Sequence, residues 1–188
     1  MKLSFITTNK EKFLEVQNLL KDYPIELEQL DIEYEENHDL SMEEIAKTAS
    51  KKLANELNKP IVLEDTGLFF EAYEGFPGAL PKFVIKTLGF KGIFKLLEGE
   101  SRKAYFKTVA AFCKPGENPV TFEGIMKGEI KQGEPSDKGS DFMPYDKVFI
   151  PEGKDRTISE MTIEEKNSFS QRAKAFRKFG EFVKNGKN

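Results

Sequence analysis

The chain is poor in the residues on which several kinds of metal and nucleophile site depend. It has 188 residues, with one cysteine, one histidine and no tryptophan. The single cysteine, Cys113, excludes an internal disulfide and any cysteine-cluster metal site, and we expect it to pack in a strand over 104–113. The single histidine, His38, argues against serine–histidine, cysteine–histidine and multi-histidine zinc chemistry, and its polar neighbours indicate a solvated loop.

The chain also lacks an excess of charge and any long apolar run. Its 29 basic and 32 acidic residues leave a formal net charge of -3, which gives no global field to attract DNA or RNA. No apolar stretch approaches the roughly 20 residues of a membrane span, and strand and helix patterns begin at once with no signal-peptide pattern. We therefore expect no nucleic-acid or membrane partner, a cytoplasmic location and a single domain over residues 1–188.

The most informative segment is residues 61–70, which read IVLEDTGLFF. A short apolar run, typical of a buried strand, ends here in Glu64 and Asp65 and is followed by Thr66 and Gly67. In α/β proteins ligands lie beyond the carboxyl ends of strands, and adjacent carboxylates at that edge favour a hard metal cation. The alternative is that Asp65, Thr66 and Gly67 form an ordinary turn, and this segment alone favours neither interpretation.

A second segment, near the N-terminus, favours ligand binding. Residues 5–16, FITTNKEKFLEV, predict a strand, a small polar loop and then a helix with apolar residues at helical spacing. Asn9 is a natural N-cap, and the amides of the first helical turn that follows are a favourable site for phosphate. Lys10 and Lys12 are unfavourable at this end of the helix dipole unless a polyanion binds there. The alternative is a solvated helix start with two surface lysines.

The order of the remaining elements predicts an α/β protein. A strand over 25–30 is followed by a helix over 42–57, which a capping box at Ser41 and Glu44 opens and which leads back to the strand at residue 61. After Gly67 we expect a second strand through Tyr73 and then a helical stretch to about Leu97. Two further strands, over 103–113 and 119–131, follow each other without a helix and should pair antiparallel.

These elements predict a mixed sheet in two lobes with flanking helices. One lobe is an α/β part and the other is a long antiparallel hairpin, with the ligand cleft between the two lobes.

A third polar cluster lies within residues 142–177. Asp146 follows Tyr145 in a loop that enters a strand over 148–150, and Thr162 with Glu165 predicts a capping box for one last helix. The apolar face of that helix comprises Phe169, Ala173, Phe176 and Val183. Its first half carries Lys166, Arg172 and Lys174, which form either a solvated basic face or a set of cations that reach a crevice beside the helix.

Together these segments resemble the inosine triphosphate pyrophosphatase family. That family carries T-[GS]-N-x-x-K after its first strand, and Thr7, Thr8, Asn9 and Lys12 match this motif except that Thr8 replaces glycine or serine. The family motif [DE]-D-[ST]-G-L at the central strand matches residues 64–68, and the following G-x-P-G loop matches residues 75–78.

The family motifs near the C-terminus are also present. The motifs Y-D, F-x-P-x-G, E-K-N and S-H-R appear here as Tyr145 and Asp146, as Phe149, Pro151 and Gly153, as residues 165–167, and as Ser170 with Arg172. The resemblance therefore spans about residues 3–180. Each motif is weak alone, but several separated motifs in the right order make the resemblance specific.

This resemblance implies a fold, a reaction and a partner. It implies a homodimer of two-lobed α/β subunits with a nucleotide cleft between the lobes. In the implied reaction water attacks the α-phosphorus of a nucleoside triphosphate, which yields the monophosphate and pyrophosphate. A magnesium ion, Mg²⁺, would be held by Asp65 and Glu36, with Glu35 as the alternative second ligand, and Asp65 is also the candidate catalytic base.

The resemblance also implies the residues that contact the substrate. Asn9, Lys12 and Lys166 would hold the phosphate tail, while Asp146 and the loop before it would border the base. The full set of implied substrate contacts is Thr7, Thr8, Asn9, Lys12, Thr66, Phe142, Met143, Tyr145, Asp146, Lys166, Gln171 and Arg172.

The sequence departs from the family where the base is recognised. In place of G-F-G-Y-D-P it has residues 142–147, FMPYDK, which lose both glycines and the aromatic expected to stack on the base, a role that Phe142 can take. Gln171 replaces the histidine of S-H-R and can still donate to a purine 6-oxo group, with different geometry. The family's lysine in the second helix falls on Ala49.

The leading interpretation is a magnesium-dependent pyrophosphatase that removes deaminated purine nucleotides such as ITP, dITP and XTP. One alternative keeps the hydrolysis but takes another triphosphate. A second alternative is a nucleotide-binding sensor that has lost turnover, although the retention of Asp65, Glu36 and Lys12 argues against it.

Overall fold

The structure is a computed structural model that describes residues 1–34 and 40–186. Its helices are α1 (Lys10–Leu20), α2 (Met42–Leu57), α3 (Pro81–Leu96), α4 (Ile163–Phe169) and α5 (Gln171–Lys184). Its strands are β1 (Lys2–Ile6), β2 (Glu26–Leu30), β3 (Ile61–Phe70), β4 (Pro77–Gly78), β5 (Lys103–Cys113), β6 (Val120–Ile130) and β7 (Phe149–Pro151). No helix in these ranges is long and apolar enough to cross a membrane.

The strands form one mixed sheet of seven strands in the order β2-β1-β3-β5-β6-β7, with β4 beside β3. β1 pairs in parallel with β2 and with β3, while β3, β5, β6 and β7 pair antiparallel. β1 therefore has the strand reached through α1 on one side and the strand reached through α2 on the other. Such a reversal of strand order opens a crevice at the carboxyl ends of the strands. The predicted α/β class and mixed sheet are confirmed.

Three buried clusters divide the molecule into two lobes along the long strands. In the first lobe, one face of the sheet packs on α1 and α5 through Phe5, Val16 and Phe176, and the other face packs on α2. The second lobe joins α3 and β7 to the opposite ends of β3, β5 and β6. The long antiparallel hairpin that the sequence predicts is formed by β5 and β6, and its two strands run through both lobes.

A gap in the sheet lies between the two lobes. Along one edge of β3, β1 pairs only with residues 61–63 and β4 pairs only with Leu68 and Phe69. Residues 64–67 have no strand on that edge within the described part of the chain, whereas β5 pairs with the whole of β3 on the other edge. The gap lies next to the loop that follows β1, so it is the crevice that the topology predicts.

The segment IVLEDTGLFF is one continuous strand, which corrects two predictions. Glu64 and Asp65 lie in the middle of β3 and not at its end, because Thr66 and Gly67 continue the ladder opposite Thr108 and Lys107. The expected second strand through Tyr73 ends at Phe70, and a short 3₁₀ turn covers Glu71–Tyr73.

Two predicted helices are interrupted. The helical stretch before residue 97 is broken at Gly89, whose φ of 62° and ψ of -178° are a conformation that glycine adopts readily. The single last helix is in fact α4 and α5, because Ser170 is extended, with φ -63° and ψ 159°, and its side chain accepts from the Ala173 amide.

The predicted caps are confirmed for the first two helices and partly for α4. Asn9 is the N-cap of α1, and Ser41 with Glu44 forms a complete capping box at α2. At α4 only half of the predicted box forms, since Thr162 accepts from the Glu165 amide while the Glu165 carboxylate pairs with Arg156.

Candidate functional site

The loop after β1 brings Thr7, Thr8 and Asn9 to the gap. The Asn9 side-chain oxygen accepts from the amides of Glu11 at 3.0 Å and Lys12 at 3.2 Å, and Thr7 Oγ1 accepts from the Asn9 amide at 3.2 Å. Two of the first-turn amides expected to receive a phosphate therefore already have a partner. Thr8 at this turn is exposed, and the Asn9 side-chain nitrogen donates to the Phe142 carbonyl.

The two adjacent carboxylates of β3 lie on opposite faces of the sheet. Side chains alternate along a strand, so Glu64 shares its face with Val62, which packs in the cluster with α1 and α5. Asp65 shares its face with Leu63, which packs in the cluster with α2. The two carboxylates therefore do not chelate one cation together, which corrects the interpretation of the acidic pair. At the gap, no strand of the described part of the chain pairs with this edge of β3. One ligand can therefore contact both faces of the sheet there.

Glu64 is held by two cations. Arg172 donates to it in a bidentate arrangement, from Nε at 2.8 Å and from Nη2 at 3.0 Å. The Lys12 ammonium lies 2.8 Å from Glu64 Oε1. The side chains of Glu64 and Arg172 are 1% and 2% exposed, whereas that of Lys12 is 24% exposed and lies at the mouth of the gap.

A second set of ion pairs continues behind the first. Glu15, on α1, accepts from Arg172 Nη1 at 2.5 Å and from Lys166 Nζ at 2.6 Å. Lys166 also donates to Asp146 at 2.5 Å. The result is a chain of alternating charge, which we call the ion-pair chain. Its members in order are Lys12, Glu64, Arg172, Glu15, Lys166 and Asp146.

Burial and charged partners together set the pKa values of these groups. Burial alone raises the pKa of Glu64, but Arg172 and Lys12 outweigh it and hold that pKa at about 2. Burial likewise opposes ionisation of Glu15, yet Arg172 and Lys166 lower its pKa overall. At Asp146 burial prevails over Lys166, so the pKa of that carboxyl is raised. The pKa of Lys166 is raised because Asp146 and Glu15 outweigh its burial.

The predicted alternative of a solvated basic face fits only part of the last helical region. Lys166 and Arg172 are buried, whereas Lys174 is exposed and donates to the Ile125 carbonyl at 2.7 Å. The hydrogen bonds of the Arg172 side chain go to two carboxylates of the chain, those of Glu64 and Glu15. Its contact with a substrate remains a prediction.

The loop over 140–147 closes the gap from the side of the second lobe. The Asn9 side-chain nitrogen donates to the Phe142 carbonyl at 3.2 Å, which joins this loop to the helix start. The Phe142 ring is 75% exposed. Tyr145 is buried and its hydroxyl donates to the Pro81 carbonyl at 3.0 Å, which joins the loop to α3. Met143 lies between them and is half-buried.

The structure also shows the surroundings of Gln171, Thr66 and Ala49. Gln171 is buried, and its side-chain oxygen has no hydrogen-bond partner among residues 1–34 and 40–186. The Thr66 hydroxyl shares a hydrogen bond of 2.6 Å with Thr108 on β5. Ala49, where the family has lysine, packs in the core beneath α2.

The donor set at the gap suits a magnesium ion but is incomplete in the described part of the chain. No group of three histidine, cysteine, aspartate or glutamate side chains is placed there to hold a metal ion. Magnesium needs only one or two protein carboxylates when phosphate and water oxygens complete its shell, so Asp65 is a suitable ligand. Glu36 and Glu35, the predicted second ligands, and His38 lie outside the described residues.

The sequence did not single out Glu15, although it is the central carboxylate of the ion-pair chain. It follows Leu14 within FLEV, where a glutamate on a helix ordinarily faces water. The only signal available was its position between Phe13 and Val16, both of which contact the core.

Known proteins are similar to this chain over nearly its whole length. The sequence profile of the Ham1 family matches residues 3–182. The chain is 45% identical to a dITP/XTP pyrophosphatase of Methanopyrus kandleri, covering 98% of this chain and 97% of that protein. It is 42% identical to a protein of the same name from Saccharolobus solfataricus, covering 97% of this chain and 94% of that one.

Solved structures of the family share the fold. The Staphylococcus aureus Ham1 protein matches with a TM-score of 0.78 and 25% identity over 100% of both chains. A HAM1 protein from Coxiella burnetii matches with a TM-score of 0.80 and 24% identity over 98% of this chain and 99% of that one. The resemblance drawn from the sequence motifs is confirmed, and this chain belongs to the Ham1 family.

Proposed function

We propose that this protein hydrolyses the triphosphates of deaminated purines, dITP, ITP and XTP, to the nucleoside monophosphate and pyrophosphate. The observation that carries this proposal is its similarity, over 98% of its length, to a protein named dITP/XTP pyrophosphatase. The gap in the sheet, with a carboxylate on one face and cations on the other, supports the same activity.

The substrate lies across the open edge of β3 at residues 64–67. Its phosphate tail contacts the turn at Thr7, Thr8 and Asn9, the Lys12 ammonium and the Thr66 hydroxyl. In the structure Lys12 has only Glu64 as its ion-pair partner among the described residues, and 24% of its side chain is exposed. A phosphate oxygen can therefore replace water around Lys12 without exposing a buried charge.

The base lies toward the loop over 142–146. Phe142 stacks on it, with Met143, Tyr145 and Asp146 shaping the pocket, and Gln171 supplies a polar contact. Lys166 and Arg172 act through the carboxylates that they hold, since Lys166 binds Asp146 and Glu15 while Arg172 binds Glu64 and Glu15. Two observations support these assignments. The Phe142 ring is exposed and can stack on a base, and the buried side-chain oxygen of Gln171 has no hydrogen-bond partner in the described part of the chain.

Asp65 is the residue on which the chemistry depends. Its carboxylate accepts the proton of the attacking water, which lies in line with the α-phosphorus on the α2 side of the gap. Asp65 and Glu36, or Glu35 in its place, hold the magnesium ion. When bound, this ion neutralises phosphate charge and orients the water. Glu64 is committed to Arg172 and Lys12, so it remains on the opposite face as an anchor for those cations.

Two further properties belong to this proposal. We propose that the chain is cytoplasmic and that it forms a homodimer, the latter as its resemblance to the family implies. Sedimentation velocity of the purified chain tests the dimer, for which a mass near twice the 21.4 kDa of the chain is expected.

The second candidate function is the same hydrolysis with another base preference. The observation that favours it is the departure of the base-recognition residues, since residues 142–147 and Gln171 differ from the family pattern. A site built from different hydrogen-bonding groups discriminates between bases differently.

The deciding experiment is a pyrophosphate-release panel with the purified protein and Mg²⁺. It compares ITP, dITP and XTP with ATP, GTP, CTP and UTP, and it detects phosphate with and without added inorganic pyrophosphatase. Phosphate that appears only with the added enzyme shows cleavage between the α- and β-phosphates. Preference for the deaminated purines supports the proposal, while preference for another base supports the second candidate. Tight nucleotide binding without hydrolysis supports the sensor and contradicts both.

A further inference from the structure

The ion-pair chain runs from one end of the proposed nucleotide site to the other. Lys12 lies beside the phosphate-binding turn, and Asp146 lies in the loop that borders the base. The side chains of these two end members are 24% and 17% exposed, whereas the four members between them are at most 7% exposed. Ligands can therefore reach the two ends, while the middle of the chain is closed to solvent.

Glu15 occupies the centre of this arrangement. One of its oxygens accepts from Arg172 at 2.5 Å and the other accepts from Lys166 at 2.6 Å. No other described residue forms an ion pair with both of these cations. An unpaired charge is costly in a buried site. If the interaction of Glu15 with one of these cations weakens, its interaction with the other cation must therefore strengthen.

We infer that Glu15 is a positioning residue that couples the phosphate end of the site to the base end. The inference rests on the proposed function for the identity of the two ends. It adds that the affinity for each part of the substrate depends on whether the other part is bound.

The alternation of charge fixes the sign of the coupling. A phosphate that takes the place of water on Lys12 weakens the interaction of Lys12 with Glu64, so Glu64 interacts more strongly with Arg172. Arg172 then interacts less strongly with Glu15, and Glu15 interacts more strongly with Lys166.

The last step frees a group for the base. Lys166, held more by Glu15, holds Asp146 less, and the Asp146 carboxylate can accept an N–H of the base. Binding at the two ends is therefore mutually favourable, and thermodynamic linkage requires the same factor in both directions.

The test measures this factor with two fragments of the substrate. Calorimetry of the full chain with Mg²⁺ gives the Kd of tripolyphosphate, first alone and then with saturating inosine. The coupling ratio is the first Kd divided by the second. We expect a ratio of about five or more in the unaltered protein, the lower end of typical allosteric coupling. A ratio of one overturns the inference.

Variants then separate the ion-pair chain from direct contact between the fragments. In Glu15→Gln the coupling ratio should fall to about one, because a neutral amide cannot transmit a shift of charge between the cations. The matched control Glu56→Gln removes an exposed carboxylate from α2 and should keep the original ratio. An unchanged ratio in Glu15→Gln overturns the inference, because the fragments would then interact without Glu15.

A purely structural role for Glu15 gives a different result. In that case Glu15→Gln lowers the affinity for both fragments and the free energy of unfolding, but the coupling ratio stays unchanged. This result also overturns the inference. If Glu15→Gln does not fold, Glu15→Asp keeps the charge but shortens the side chain, so it cannot bridge both cations, and its ratio is interpreted in the same way.

Failure of the coupling and failure of the proposed function are distinguishable. Hydrolysis of dITP or XTP with a ratio of one rejects only the coupling. A ratio of five without hydrolysis of any triphosphate rejects only the proposed activity.

Discussion

Neighbouring residues in a strand can serve separate purposes, and Glu64 and Asp65 illustrate this. Glu64 faces α5 and is bound by Arg172 and Lys12, so its charge is fully engaged within the chain. Asp65 faces α2, away from those cations. The period of two along a strand separates them, although the sequence presents them as a pair. The gap in the sheet allows one ligand to contact both faces.

Replacing Asp65 tests its proposed role directly. Asp65→Asn should lower pyrophosphate release by about 100-fold or more, the contribution typical of a general base, because an amide neither accepts the proton nor suits the metal ion. The measurement is steady-state release from dITP with Mg²⁺. Asp155→Asn, in an exposed turn, is the control and should keep full activity. Full activity in Asp65→Asn would remove both roles from this residue.

Gln171 is the residue at which substrate preference should be most easily changed. Its buried side-chain oxygen lacks a partner in the described part of the chain, so an imidazole there changes which groups of the base can be bound. We expect Gln171→His to raise the ratio of kcat/KM for XTP over GTP by roughly ten-fold, the equivalent of one hydrogen bond of about 1.4 kcal/mol. Gln17→His, on the exposed face of α1, is the control. An unchanged substrate ranking would show that residue 171 does not contact the base.

At the scale of elements, local signals predicted structure well. α2 begins and ends at the predicted residues because its capping box and apolar spacing lie within the helix itself. The Asn9 cap was predicted for the same reason. The hairpin was also predicted, since its strands are adjacent in the chain.

Predictions failed where distant parts of the chain decide. The sequence predicted that the strand ends at Asp65, yet Thr66 and Gly67 continue β3 because residues of β5, about 40 positions later, pair with them. The bond between Glu15 and Arg172 joins residues 157 positions apart, so no spacing in the sequence indicates it. The candidate site was predicted as a set of residues, but the ion pairs among them were not.

The junction of α4 and α5 offers a test at this scale. Ser170 is fully buried and its hydroxyl accepts from the Ala173 amide, which fixes where α5 begins and therefore where Gln171 and Arg172 lie. Ser170→Ala should lower the free energy of unfolding by about 1 kcal/mol through loss of this cap, and should also lower kcat/KM. Urea denaturation and pyrophosphate release measure the two effects.

Ser168→Ala is the matched control for that substitution. Ser168 is exposed and its hydroxyl donates to the Glu165 carbonyl at 2.7 Å, so its loss should leave kcat/KM unchanged. If Ser170→Ala loses stability but keeps kcat/KM, the position of α5 does not limit activity.

The whole molecule should lose stability in acid because its buried carboxylates are paired with cations. The folded-state pKa of Glu64 is about 2, below its ordinary 4.5, so ionised Glu64 favours the fold above about pH 4.5 and this contribution is lost as the pH falls toward 2. The shift corresponds to roughly 3 kcal/mol. Glu15 acts in the same direction, while Asp146, with a raised pKa, acts in the opposite one.

Urea denaturation between pH 7 and pH 2.5 measures this loss. The free energy of unfolding should fall as the pH drops below about 4.5. Lys12→Met removes one cation from Glu64 and moves its folded-state pKa closer to 4.5, so the fall should be smaller and should be complete at a higher pH in that variant. A free energy that stays constant down to pH 2.5 would contradict the pairing of Glu64 in solution.

The two lobes should unfold together, because β3, β5 and β6 run through both of them. Phe176 in the first lobe and Phe149 in the second are fully buried, and the Phe149 ring lies 4.7 Å from that of Phe106. Phe176→Ala and Phe149→Ala should each lower the free energy of unfolding by about 3–5 kcal/mol. Both should move one shared transition in urea without changing its slope. Phe83→Ala, with a ring 62% exposed, is the control and should change little. A second transition in either variant would show that one lobe stays folded without the other, and the sheet could not then be the element that joins the two walls of the site.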